Sequence, residues 1–253
     1  MILRWLTGIV FALIAFTALW FGGAGWFVFL SVCLIIAGVE WANLAGHPRL
    51  LISIVIFLSL LFIITEKFYF LPVLLLLPAH RMLASQEPDF SKLITWSAAG
   101  MIWLALPVGL LYSLRVQTEG LFLVLFLILA TVAQDTMALY GGMLFGGEPT
   151  FCPGLSPRKT WAGFITGTMG GLAVFLLASY YAFFPLWISL LLGVCLGVSG
   201  SCGDLMFSGL KRYSQLDDTG KIFPGHGGVL DRVDALLINT AVYYTILSGA
   251  GII

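Results

Sequence analysis

Residues 120–140 read GLFLVLFLILATVAQDTMALY. From Gly120 to Ala133 no side chain is charged, and Asp135 arrives only near the end of the run. A helix crossing the hydrocarbon core of a bilayer needs ~20 such residues. Lipid offers no partners to backbone N–H and C=O groups, so each must be satisfied inside the helix. The same character extends outward along the chain. Of its 253 residues, 60% are hydrophobic and only 9% charged, with a mean hydropathy of +1.04. A soluble domain carries ~25% charged residues. A transmembrane barrel would show short alternating segments, whereas these runs are long and continuous.

The pattern predicts an all-α, polytopic membrane helical bundle of about nine transmembrane helices with two cytoplasmic polar loops. The spans fall near 5–21, 24–39, 50–64, 69–83, 94–114, 120–140, 162–182, 186–207 and 232–252. The fourth, with Pro72 and Pro78, is expected to kink. The run from Arg4 to Trp20 passes for a signal peptide, but no small-residue cleavage motif follows it, so it is read as the first span. The chain is read as one integral membrane domain over 1–253, with N-terminal spans in 1–115 and the chemistry in 116–253. Cys33, Cys152, Cys195 and Cys202 form no C-x-x-C pair and read as packing residues. With nine spans, one side holds Arg4, Arg49, Arg81, Lys92, Arg158, Lys159, Lys211, Arg212, Lys221 and Arg232. The other holds Lys67 and Arg115, which accounts for all 12 basic residues. Positive charge marks the cytoplasmic side. Both polar segments, 141–161 and 208–232, are therefore expected in the cytoplasm and the C-terminus outside.

Chemistry concentrates between Gly200 and Asp234, where five of the 12 acidic residues fall: Asp204, Asp217, Asp218, Asp231 and Asp234. Charge near membrane depth is costly and usually functional. If the eighth span continues as a helix, Asp204, Ser208 and Lys211 share one face, with Arg212 beside them. A carboxylate, a hydroxyl and two cations suit a metal-bound phosphate; the plainer alternative is a polar ladder ending a helix. Asp217-Asp218-Thr219-Gly220 reads as a turn when taken alone. Converging with Asp204, however, Asp218 would make a pair able to hold Mg²⁺. The glycine-dense Pro224–Gly228 loop suits close approach of backbone N–H groups to a phosphate. Its His226 is assigned phosphate contact or loop fixing ahead of catalysis. Asp231 fits an ordinary helix start, which leaves Arg232, between Asp231 and Asp234, unexplained. In the other polar segment, Ser156-Pro157-Arg158-Lys159-Thr160-Trp161 either meets a phosphate or is a positive-inside loop in which Thr160 caps the next helix. Asp135 is equally readable as a satisfied helix-end carboxylate.

Taken together these residues resemble the signature of the phosphatidate cytidylyltransferases (CDP-diacylglycerol synthases). Ser208-x-x-Lys211-Arg212, an acidic pair, then His226-Gly227-Gly228-x-x-Asp231-Arg232-x-Asp234 is similar to the family's S-x-x-K-R-x-x-x-x-K-D and H-G-G-x-x-D-R-x-D. Ser156-Pro157-x-Lys159-Thr160-Trp161 resembles S-P-K-K-T-W, and Gly203-Asp204-Leu205 resembles G-D-L. Asp135, Tyr140 and Gly146 loosely match D-x-x-A-Y…F-G. The agreement covers roughly the last half of the chain. It implies cytidylyl transfer from CTP to phosphatidate, Mg²⁺ with a second cation allowed, and a homodimer. By position, Asp204 and Asp218 would be the metal carboxylates and, with Lys211, the catalytic set. Substrate contacts would come from Asp135, Ser156, Lys159, Thr160, Ser208, Arg212, Lys221, His226, Gly227, Gly228, Asp231 and Arg232. The expected location is a bacterial inner (cytoplasmic) membrane with the active site facing the cytoplasm.

Two positions depart from that pattern. The motif's Lys-Asp is Asp217-Asp218 here, and the Glu that follows S-P-K-K-T-W is Ala162. They keep open a paralogue acting on another lipid phosphate, or one of low activity. An ion- or proton-coupled transporter would use Asp135 and Asp204 as its pathway, but the polar residues gather on one side instead of through the bilayer. A structural scaffold leaves the acidic, glycine-rich loop without a reason. No basic stripe interleaved with aromatics favours nucleic acid.

Overall fold

The computed structural model describes residues 2–46, 49–85, 90–145, 150–181, 183–222 and 227–253. A helix stands at each expected span: α1 (Ile2–Phe21), α2 (Gly23–Ala45), α3 (Arg49–Ile64), α4 (Leu71–Leu74) with α5 (Leu76–Ser85), α6 (Phe90–Gly100) with α7 (Leu106–Val116), α8 (Gly120–Phe145), α9 (Trp161–Tyr180), α10 (Leu186–Tyr213) and α11 (Leu230–Gly249). Five stretches of the described residues are long and apolar enough to cross a membrane: Gly23–Ala45, Ser91–Val116, Gly120–Phe145, Trp161–Tyr180 and Leu186–Tyr213. Thr7–Phe21, Leu50–Ile64 and Leu71–His80 are shorter apolar helices, and α11 opens on Asp231, Arg232 and Asp234. Large apolar side chains stand exposed all along this set, among them Leu13, Trp20, Val28, Leu129, Met169 and Val194. Water would not tolerate so many; lipid is their solvent. The protein is an integral membrane protein.

Three elements depart from a plain run of straight spans, the first of them as expected. The fourth span is broken as its prolines require, into a 3₁₀ turn (Phe68–Phe70), α4 and α5. In the fifth, a π-helical stretch (Met101–Ala105) joins α6 to α7. Pro107 lacks an N–H and its ring crowds the carbonyl four residues back, at Trp103, so the local helix widens. The segment before α9, read as a loop, contains an antiparallel hairpin of β1 (Thr150–Cys152) and β2 (Ser156–Thr160). Pro153-Gly154 makes the turn, and Leu155 N–H donates to the Cys152 carbonyl at 3.3 Å.

The chain divides into two compact units. The first runs to Val116 and takes in Tyr213–Val233; the second comprises Gln117–Arg212 and Asp234–Ile253. In the first, Trp26, Leu30, Leu34, Ala37 and Trp41 recur at helical spacing and are buried. The Trp41 indole donates to the Trp96 carbonyl at 2.9 Å. Gly100 admits that ring: a Cβ there would lie 2.6 Å from Ile56 Cδ1 and 3.0 Å from Trp41 Nε1. Arg115 closes the C-terminal end of α1, its Nε donating to the Leu19 carbonyl at 2.8 Å and an Nη to that of Trp20 at 3.2 Å. A cation there answers both orphan carbonyls and the helix dipole.

In the second unit, α8 and α9 lie almost backbone to backbone. Cβ atoms at Gly163, Gly167 and Gly170 of α9 would stand 2.8 Å from the Ala138 carbonyl, 3.0 Å from that of Gln134 and 2.8 Å from that of Ala133. Small residues in this register let membrane helices close without a hydrophobic driving force. Thr160 caps α9, its hydroxyl accepting from Gly163 N–H at 3.1 Å. Thr166 Oγ1 donates across to the Met137 carbonyl at 3.0 Å.

Candidate active site

The glycine-closed α8–α9 pair and the hairpin between them place three expected site residues around one cavity of about 440 Å³, and α10 adds a fourth. Asp135 comes from α8, Lys159 from the end of β2, Thr160 from the cap of α9 and Asp204 from α10. Lys159 Nζ pairs with Asp204 Oδ2. Asp135 interacts electrostatically with both Asp204 and Lys159. Asp234 interacts with Asp204 and Asp135, and Lys211 opposes their charge. The eighth span does continue as helix, α10 running to Tyr213, so Asp204, Ser208 and Lys211 lie along one face as expected. Ser156 opens β2, paired with Cys152.

A second cavity, of about 820 Å³, belongs to the first unit. Asp217, Asp218, Thr219, Gly220 and Lys221 line it, together with Asn43 and Gly46 from the end of α2. Asp231 bonds the loop to itself: its Oδ2 accepts from Thr219 N–H, Thr219 Oγ1 and Gly228 N–H, each at 2.9 Å. Gly227 has φ +82°, a left-handed conformation that glycine adopts without strain. Arg232 starts α11 with its N–H on the Val229 carbonyl at 2.9 Å. His226 and Gly146 lie outside the described residues, as do Pro224 and Gly225.

Sequence reasoning passed over three buried polar residues. Gln134, next to Asp135, donates to the Gly197 carbonyl at 2.9 Å and accepts from Asn239 Nδ2 at 3.4 Å. Asn239 also bonds Thr131 at 3.1 Å and Ser199 at 2.6 Å, so this intramembrane cluster is well satisfied. Gly200 leaves it room, since a Cβ there would lie 2.6 Å from Gln134 Oε1. The third is Glu40, 2% exposed near the end of α2. Its carboxylate accepts from Val229 N–H at 3.0 Å and Leu230 N–H at 2.9 Å. A lone acid inside an apolar span was a readable signal.

An acidic group with a paired lysine, lining a cavity that Thr160 also opens onto, is equipped to hold a phosphate and a divalent cation together. The sequence profile of the cytidylyltransferase family matches residues 2–249. The chain belongs to the cytidylyltransferase family. Its relatives in that family include the phosphatidate cytidylyltransferase of Rickettsia felis, 30% identical over 182 residues, which are 69% of this chain and 80% of the relative. That of Staphylococcus saprophyticus is 38% identical over 132 residues, 51% of this chain and 50% of the relative. That of Staphylococcus aureus is 40% identical over 133 residues, again 51% and 50%. The chain thus spans about half the length of the staphylococcal family members it matches.

Proposed function

We propose that this protein transfers the cytidylyl group of CTP to phosphatidate, giving CDP-diacylglycerol and pyrophosphate. The observation that carries the reading is the Lys159–Asp204 pair beside Asp135 in one cavity of a cytidylyltransferase-family chain. An oxygen of the lipid phosphate attacks the α-phosphorus of CTP, and the bond to the β-phosphate breaks. Such a transfer needs positioning and charge neutralisation more than covalent help. The lipid phosphate is already an anion, so no strong base is needed. Asp204 and Asp135 fit Mg²⁺, which is commonly bound by one or two carboxylates plus phosphates, and the resemblance adds Asp218. When bound, the ion would neutralise charge that builds on the phosphates. Lys159 and Lys211 supply further positive charge, and Arg212 and Arg232 are proposed phosphate contacts by position in the signature. The test is purified protein in detergent with labelled CTP, Mg²⁺ and a panel of lipid phosphates. Phosphatidate is expected to become nucleotide-linked; exclusive turnover of a polyprenyl phosphate would reassign the substrate.

The proposal extends to a homodimer in a bacterial cytoplasmic membrane with the site facing the cytoplasm. The ten-to-two division of basic residues supports that orientation. A reporter active only outside the cytoplasm, fused after Ile253, is expected to work; cytoplasmic activity there would sink the nine-span count.

Asp217 puts an anion where the signature has a cation, and Lys221 lines the same cavity four residues on. Two unit charges 4 Å apart interact by ~4 kcal/mol at an effective dielectric of ~20. A reversed charge near a triphosphate therefore calls for compensation, and a long lysine side chain reaches across such an offset. Lys221→Ala is expected to raise the KM for CTP about tenfold or more, and adding Asp217→Lys to recover much of it. A silent Lys221→Ala would rule the compensation out.

A further inference from the structure

The buried Glu40 has no role in the chemistry described so far. Removing a carboxylate from water is costly unless every lone pair is answered. An apolar side chain would pack the end of α2 at lower cost. What the carboxylate holds lies far along the chain. Oε1 accepts from Val229 N–H and Oε2 from Leu230 N–H, 189 and 190 residues away. These are orphan donors at the start of α11. Thr219 Oγ1 stands 3.3 Å from Oε2 and 2.9 Å from Asp231 Oδ2. Its single hydrogen serves the nearer acid and leaves the hydroxyl resting against Glu40.

The loop is also shaped around this carboxylate. A Cβ at Gly220 or Gly228 would overlap Glu40 Oε1, so a side chain at either position would displace the carboxylate. Asp218 adjoins Thr219 in sequence and also faces the turn, since a Cβ at Gly227 would lie 3.2 Å from Asp218 Oδ1. The acid therefore holds the chain immediately after Asp218, at Thr219 and Gly220, and again at Gly228–Leu230.

We propose that Glu40 is a positioning residue: it fixes Thr219 and the Gly227–Leu230 turn, and through them sets where the Asp218 carboxylate stands. The catalytic sense of this rests on the transfer function proposed above. Two changes disturb the clamp by different routes. Glu40→Gln keeps the shape but turns an acceptor into a donor facing N–H groups. Gly228→Ala keeps the acid and pushes it aside.

Each variant, in detergent with CTP, Mg²⁺ and phosphatidate, is expected to lose at least tenfold in kcat/KM for CTP. The KM for phosphatidate should stay within twofold, a split that general loss of folding does not produce. Hydrogen exchange without substrate supplies a readout independent of turnover: peptides covering 214–230 should exchange at least tenfold faster in Glu40→Gln. The proposal is overturned if exchange in that segment is unchanged, if both kinetic constants stay within twofold of the parent, or if neither variant assembles in the membrane. A parent that turns over no lipid phosphate refutes the transfer function instead. Faster exchange in Glu40→Gln would still support the clamp.

Discussion

Asp204→Asn is expected to lower the proposed cytidylyl transfer about a thousand-fold, the upper end of what removal of one electrostatic stabiliser costs. Asp204 is the partner of Lys159 and interacts with both Asp135 and Asp234. Neutralising it removes a carboxylate proposed above for Mg²⁺ and leaves Lys159 without its ion-pair partner in the cavity. The fold should hardly notice. The side chains of the pair are 26% and 42% exposed, and exposed ion pairs contribute ~0–1 kcal/mol. Initial rates with labelled CTP at saturating Mg²⁺, alongside a melting curve in detergent, separate the two effects. A variant keeping more than about a tenth of the parental rate would remove Asp204 from the reacting centre.

Gly167→Leu is expected to abolish folded protein. A Cβ at this position would already stand 2.9 Å from Ala138 Cβ and 3.0 Å from the Gln134 carbonyl. Helix backbone cannot give way as a flexible side chain can. Overpacking by methylenes costs ~1–3 kcal/mol even where side chains rearrange, and here α8 and α9 would have to part. Asp135 and Thr160 ride on those two helices, so activity should fall before assembly does in the milder Gly167→Ala. Size-exclusion profiles of the two variants, with turnover of the second, check the order. Normal assembly of Gly167→Leu would mean that α8 and α9 do not depend on this contact.

The spans were legible because lipid imposes one rule on every residue of a crossing helix, and composition alone reports it. Pro72 and Pro78 announced the broken span for the same local reason. Helix ends were less legible. The second span was expected to stop at 39, whereas α2 continues to Ala45, where Gly46 in the left-handed conformation closes it. α10 likewise runs on to Tyr213 through Lys211 and Arg212, cations that favour a helix C-terminus. The hairpin before α9 was missed because Ser156–Thr160 reads as loop until Thr150–Cys152 pairs with it. Within the site, Asp135, Lys159, Thr160 and Asp204 could be named from sequence, but not their meeting in one cavity. Glu40 stood out as a lone acid in an apolar run, but its partners and those of Asn239 lie far off in sequence, and spacing carries no trace of them.

The distance that hid Glu40 also imposes a schedule on biosynthesis. Its partner Leu230 is 190 residues further along the chain. At ~5–20 residues per second, α2 waits about 10–40 s for the backbone donors that satisfy its acid. Through that interval the nascent chain carries an unanswered carboxylate at the end of a membrane helix, held near water or protonated. The backbone donors Val229 and Leu230 that hold the Asp218 loop on Glu40 are missing until α11 has begun to emerge. A ribosome stalled before Val229 would leave the Asp204 side chain built and the Asp218 loop unclamped. Closing the clamp thus waits on the synthesis of α11.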